Sequence, residues 1–353
     1  MARRLELARG TALVLASILL LLVVLELGCR VALGWEYLWT WPNFVAREWA
    51  AKDRAVDRRY IDDPLVGHVP KPRFRSALVN YDDEGRRLMP APPAGALAEL
   101  PVLVTGDSFA EGEEVKDGET WPAYLQGLLK RQVINAGVSG FGLDQAVLRT
   151  VQQAQVLQPR QIVLTFAAGE LYRNEMHHLR GGEKPYFTLA RDDTLVLHNV
   201  PVPPRPGTER ALPFWQRMFG WSALLEVVLK RSDWWGDWLA DEERATPRGT
   251  AEKLICPLMR HLAALGVPTL VVAQYNGWTL STDNTPSRAD ARRQANVVLR
   301  CAEAAGLASL DTYDVIASAV RQRGIDAVYV RGHHTAFGNR LVAETIAAAL
   351  KRH

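Results

Sequence analysis

Residues 10–25, "GTALVLASILLLLVVL", contain no charge, and this run limits the start of the chain more than any other feature. So apolar a segment is a poor surface element in water. In lipid its backbone polar groups must be satisfied within the segment, which selects a helix. Spanning the hydrocarbon core takes about 20 residues. Residues 27–34 complete that length and leave Glu26 and Arg30 near the far interface, where side chains can snorkel. Arg3, Arg4 and Arg9 precede the run, so the positive-inside rule puts the N-terminus in the cytoplasm and the bulk of the chain outside. Trp35, Tyr37, Trp39 and Trp41 follow at once, as amphipathic aromatics do at a membrane–water boundary. The reading is a cytoplasmic stub at 1–9 and a single-pass signal anchor at 10–34. The alternatives are a cleaved signal peptide, for which no A-x-A-like site is evident, and lipidation at Cys29 in "LELGC". Against lipidation, Glu26 stands where such cleavage sites take an apolar residue.

The net charge of the 353 residues is +3. Residues 1–33 set Arg3, Arg4, Arg9 and Arg30 against Glu6 and Glu26, which leaves about +1 for the rest and no support for a nucleic-acid partner. Three cysteines do not make a disulfide scaffold. Cys256 and Cys301 fall in helix-like segments and are read as buried apolar residues rather than a bridge, although an oxidising compartment permits one.

Residues 35–98 are rich in proline and charge and read as a juxtamembrane region, with "PPAGALAEL" (92–100) as a linker. From 99 to 353 the pattern changes. Apolar strand-like runs such as "LPVLVTGD" and "RQIVLTFAAGE" alternate with segments of helical spacing such as "LDQAVLRTVQQAQVL". Strands apolar throughout, between helices, predict a parallel sheet of about five strands covered on both faces, a three-layer α/β/α domain. Its ligands bind beyond the carboxyl ends of the strands. A proline-rich, aromatic block at about 176–250 interrupts the alternation and reads as one insertion. Its cluster of Phe214, Trp215, Phe219, Trp221, Trp234, Trp235 and Trp238 is packing, a lid over a cleft, or a surface lying against the bilayer.

Ser108 stands after the first of these strands and before an acidic helix start, in "VLVTGDSFAEGEEV". Local chemistry leaves two readings. Ser108 is a nucleophile beside the unpaired N–H groups of a helix terminus, or Asp107 or Ser108 merely caps that helix.

"GDSFAEG" (106–112), "NAGVSGFGLDQ" (135–145) and "HHTAFGNRLVAE" (333–344) together resemble the GDSL/SGNH hydrolase family, over roughly 100–353. "DDPLVGHVPKP" (62–72) and "YDDEGRR" (81–87) resemble the region preceding the hydrolase domain in its membrane-anchored bacterial members. The resemblance implies a flavodoxin-like SGNH sheet and a serine esterase. Ser108 is its nucleophile, and the N–H groups of Ser108 and Gly140 form part of an oxyanion hole. His333, five residues before Gly338, is the general base, with His334 as the alternative. A base is needed because a neutral serine hydroxyl is a poor nucleophile.

Two positions depart from the family. Where it has Asn-Asp in the third block, this chain has Gly169 and Glu170, so only the Gly169 backbone N–H remains to replace the Asn donor. Where it has an Asp two or three residues before the His, this chain has Val330 and Arg331. Asp326, Glu170 or a backbone carbonyl is left to orient the imidazole, and an Arg beside the base disfavours the imidazolium. Asp107 and Asn174 are further supporting candidates. The pairs His177-His178 and His333-His334 lack the i, i+4 spacing of zinc ligands, and "GVSGFG" is not a dinucleotide fingerprint, so neither metal nor cofactor is expected. The function expected is ester hydrolysis outside the cytoplasmic membrane, in the periplasm or at the cell exterior, on an envelope glycan or lipid. The alternatives are O-acyl transfer by the same nucleophile, and a catalytically impaired binding or assembly component.

Overall fold

The computed structural model describes residues 2–54, 59–179, 182–205, 212–232, 234–239, 249–281 and 285–352. The chain forms two compact units, residues 57–205 with 247–353, and residues 1–56 with 206–246.

The larger unit holds a parallel sheet of β1 (Val102–Thr105), β2 (Val133–Asn135), β3 (Gln161–Ala167), β4 (Thr269–Gln274) and β5 (Ala308–Asp311). The strand order is β2-β1-β3-β4-β5, the flavodoxin-like arrangement, which reverses direction between β1 and β3. β1 and β4 are buried along their whole length, which is why their sequences carry apolar side chains on both faces. Helices Trp121–Leu129 and Ala336–Leu350 pack together, while Ile255–Ala263 packs against both Leu143–Leu157 and Thr285–Ala304. Cys256 and Cys301 join the last pair as a disulfide, with Cα atoms 4.7 Å apart. This corrects the expectation of two unbridged cysteines. Helical periodicity turned both residues inward but carried no information on which helices are neighbours.

Residues 59–98 fold with this sheet. Tyr60, Val66 and Val69, in and beside the hairpin Tyr60–Asp63/Gly67–Pro70, join its core. The Arg87 N–H donates to the Asn135 carbonyl at 2.9 Å, so this segment covers the open edge of β2. Of the block read as an insertion, 176–205 belongs to the sheet unit, and its hairpin Tyr186–Leu189/Leu195–His198 contributes Phe187 to the core. Residues 212–232 and 234–239 belong to the N-terminal unit, and 180–181, 206–211, 233 and 240–248 of the block lie outside the described residues.

The smaller unit begins with the helix Ala2–Leu33, within which residues 9–33 are long and apolar enough to cross a membrane. Leu13, Leu19 and Leu20 are 64–70% exposed, so this is not the core helix of a water-soluble fold. A short core of Phe44, Val45, Leu229 and Leu239 joins helix Phe44–Arg54 to the helices Ala223–Leu229 and Trp235–Leu239.

Candidate active site

β1 ends at Thr105, and the chain turns at Gly106, whose φ of 146° favours glycine. A Cβ there would lie 2.4 Å from Thr165 Oγ1, so the turn also needs the missing side chain. Asp107 then caps the helix Ser108–Glu111. Its Oδ1 accepts the Phe109 N–H at 2.9 Å and its Oδ2 accepts the Ala167 N–H, at the end of β3, at 2.7 Å. Burial raises the Asp107 carboxyl to about pH 7, and the neighbouring Glu170 pushes in the same direction. Capping therefore falls to Asp107, and the Ser108 hydroxyl is left for another partner. That partner is His333, with Nε2 2.7 Å from Ser108 Oγ across 225 residues of sequence. The pair sits at the β1/β3 switch point, where an open α/β sheet binds its ligands.

His333 is delivered by the hairpin of Tyr329–Val330 with His333–His334, in which Val330 opposes His333. Arg331 and Gly332 form its turn with φ of 48° and 85°, the two positive values of a type I′ turn. Successive strand residues face opposite ways, so only one histidine can reach Ser108. His334 is buried against Phe109 and Tyr329, and both its ring nitrogens lack a partner among the described residues. Burial, reinforced by His333, drops it to about pH 3 and keeps it neutral.

Among the described residues no acid bonds to His333. For Nε2 to accept the serine proton, the ring must carry its own proton on Nδ1. That buried nitrogen has no hydrogen-bond partner among the described residues. Glu170 is taken by Arg173 at 2.6 Å, and Asp326 makes no bond to His333. Arg331, expected to act on the base, is 81% exposed at the hairpin tip, with Nη1 3.8 Å from Glu114 Oε2.

The backbone N–H groups of Ser108, Gly140 and Gly169 have no acceptor among the described residues. Gly140 and Gly169 both have positive φ, 85° and 96°. Asn174 is fully buried and elsewhere engaged, its Oδ1 accepting the Asp144 N–H at 3.1 Å at the start of helix Leu143–Leu157. It makes no bond to Ser108 or His333 among the described residues.

Sequence reasoning missed a set of residues that fix the peptide between Ser139 and Gly140. Glu111 Oε2 accepts the Ser139 N–H at 2.5 Å, and His68 Nε2 lies 3.0 Å from the Ser139 carbonyl oxygen. Glu113 Oε2 accepts the Ser139 hydroxyl at 2.9 Å. A carbonyl can only accept, so His68 donates from Nε2. In a trans peptide the Ser139 C=O and the Gly140 N–H point in opposite directions. Holding the carbonyl toward His68 therefore aims the Gly140 N–H the other way. Glu111 is itself fully buried and accepts from the Tyr60 and Tyr81 hydroxyls; burial raises its carboxyl, and Glu113 adds to the shift. Tyr60, His68 and Tyr81 come from the region before the sheet. The only sequence signal for them was that segment's resemblance to family flanks.

The fold and site thus define a doubly wound α/β domain with a serine–histidine pair at its topological switch point. No protein-family model matches the chain, and no curated protein sequence does. Among solved structures it is similar to an alpha/beta hydrolase enzyme from the metagenome of Lake Arreo, Spain, at 14% identity over 73% of this chain and 96% of that one, with a TM-score of 0.44. It is also similar to an acetylxylan esterase from Geobacillus stearothermophilus, at 14% identity over 73% and 95%, TM-score 0.45. A protein assigned to the G-D-S-L lipolytic family, from Desulfitobacterium hafniense, is similar at 12% identity over 71% and 99%, TM-score 0.37.

Proposed function

We propose that this chain is a serine esterase of the SGNH/GDSL type, anchored by residues 10–34 and acting outside the cytoplasmic membrane on an acyl ester of an envelope glycan or lipid. The observation that carries the reading is the 2.7 Å contact between His333 Nε2 and Ser108 Oγ. Ser108 attacks the acyl carbonyl while His333 takes its proton. The developing oxyanion is received by the N–H groups of Ser108, Gly140 and Gly169. His333 then protonates the departing alcohol, and water or a sugar hydroxyl accepts the acyl group in a second, mirrored step. The Cys256–Cys301 disulfide and the arginines before the apolar helix support an oxidising compartment and an outward-facing domain.

The unpartnered Nδ1 of His333 favours a second reading, a weakened or non-catalytic binding component. A triad that loses its acid can fall about 10⁴-fold in kcat, so turnover should be slow even where the chemistry is intact. The test is labelling of the full chain in detergent by a fluorophosphonate probe, with p-nitrophenyl acetate turnover alongside. The esterase reading expects labelling lost in Ser108→Ala and strongly slowed in His333→Ala, with His334→Ala close to the parent. Labelling unchanged by Ser108→Ala, or none in well-folded parent protein, rejects it in favour of the binding component.

A further inference from the structure

The helix Phe214–Phe219 is amphipathic the wrong way round for water. Phe214, Trp215, Met218 and Phe219 are 47–60% exposed, whereas Gln216 turns inward, with its side-chain amide 3.3 Å from the Trp238 carbonyl and its own carbonyl accepting from Asn43 at 2.9 Å. None of the helix's residues is buried. An apolar face turned outward around a bonded polar residue suits an apolar surrounding, not solvent.

Its position relative to the apolar helix Ala2–Leu33 is fixed within the same compact unit. Glu26 receives the Ser222 hydroxyl and the Ala223 and Leu224 N–H groups, each at 2.9 Å. Arg30 pairs with Glu26 at 2.9 Å and donates to the Trp221 carbonyl at 2.8 Å and the Tyr37 carbonyl at 2.8 Å. Counting about 20 residues from Gly10 for the hydrocarbon core ends near Cys29, between these two charges. Whatever Glu26 and Arg30 hold lies at the same depth, about 1.5 Å of rise per residue from the boundary. Their mutual pairing and bonds to backbone groups match what charges need at that depth.

We infer that residues 212–232 and 234–239 form a collar seated in the interfacial layer of the bilayer, around the exit of the apolar helix. The inference rests on the membrane-anchor reading and extends it to a segment almost 200 residues away in sequence. The occupant of the exposed face is lipid. The face lies directly before the turn Trp221–Leu224 that Glu26 and Arg30 of the apolar helix hold, it is built of the aromatics that favour the interfacial layer, and the exposed Arg217 within it suits anionic headgroups.

The test uses the full chain carrying Cys29→Ser, reconstituted in phosphatidylcholine–phosphatidylglycerol vesicles. A nitroxide is attached singly at Trp215→Cys or Phe219→Cys. Power saturation compares collisions with oxygen, which concentrates in lipid, and with a water-soluble nickel chelate. Leu20→Cys serves as the lipid reference and Asp192→Cys as the aqueous one. The collar predicts oxygen-to-nickel ratios at 215 and 219 shifted from the Asp192→Cys value toward that of Leu20→Cys. Ratios equal to the aqueous reference, with Leu20→Cys still lipid-like, overturn the collar and leave the anchor standing. An aqueous Leu20→Cys overturns both. Protection from both reagents at 215 and 219 also overturns it, because the face is then covered by protein.

Discussion

Glu111 is the residue through which the site can be probed without touching Ser108 or His333. It accepts from the Ser139 N–H, the Tyr60 hydroxyl and the Tyr81 hydroxyl, and so determines where the Gly140 N–H points. Glu111→Ala strips all three acceptor contacts and opens a void in a fully buried position. Each donor left unsatisfied costs about 1–3 kcal/mol, and the two hydroxyls recover part of this by rotating. Freeing the Ser139–Gly140 peptide removes one of the proposed oxyanion donors, a loss worth about 10²–10³ in kcat. Glu111→Gln is the discriminating variant. Its carbonyl oxygen can face the Ser139 N–H while its NH₂ donates to tyrosine hydroxyls, which accept as readily as they donate. The expectation is that Glu111→Ala lowers kcat and kcat/KM together with KM little changed, the signature of an interaction made only in the transition state. Glu111→Gln should stay within a few-fold of the parent. His68→Ala releases the same peptide from its carbonyl side, and its loss should not add fully to that of Glu111→Ala. The assay is p-nitrophenyl acetate turnover with urea unfolding on the same samples. A folded Glu111→Ala protein with parental kcat, or Glu111→Gln as impaired as Glu111→Ala, refutes the positioning argument.

The Cys256–Cys301 bridge closes a 45-residue loop, for which chain entropy gives about 4 kcal/mol, so the paired alanine substitution should lower urea stability by roughly that much. A free-thiol titration of the denatured, unreduced protein that finds three thiols rather than one excludes the bridge. Asp107 has a folded value near 7 against 3.8 for an unperturbed carboxyl, so its contribution to stability is complete below about pH 4 and is lost as pH rises to 7. At about 1.4 kcal/mol per pH unit the loss is on the order of 4 kcal/mol. Asp107→Asn forfeits one of the two N–H contacts, so its deficit in urea unfolding should be largest at about pH 4 and below and shrink steadily toward pH 8; a constant or growing deficit contradicts the shift. Lys184 and Asp144 form a fully buried ion pair at 2.5 Å, and Lys184→Ala should cost about 3–5 kcal/mol by stranding the carboxylate. Lys184→Met with Asp144→Leu should recover at least half of that in the same unfolding assay.

What could be read in the sequence was what local chemistry specifies. A strand, a glycine turn, an Asp-Ser pair and a helix lie within ten residues, so the placement of Ser108 follows from local order and from strands that are apolar on both faces. The long uncharged run likewise selects a helix without reference to anything else. Other features waited on partners distant in the chain. The choice of His333 over His334 depends on a type I′ hairpin whose register turns adjacent residues to opposite faces. Asp107 caps the helix through the nearby Phe109 N–H, but its second carboxylate oxygen is held by the Ala167 N–H at the end of β3. The His68 and Glu111 contacts to Ser139 join elements 71 and 28 residues away. Glu26 and Arg30, read as charges near the far interface, also hold a turn almost 200 residues on. Periodicity and turn chemistry are local and can be read along one segment. Burial, charge state and hydrogen-bond partners arise only when segments meet, so they were decided by the packed chain.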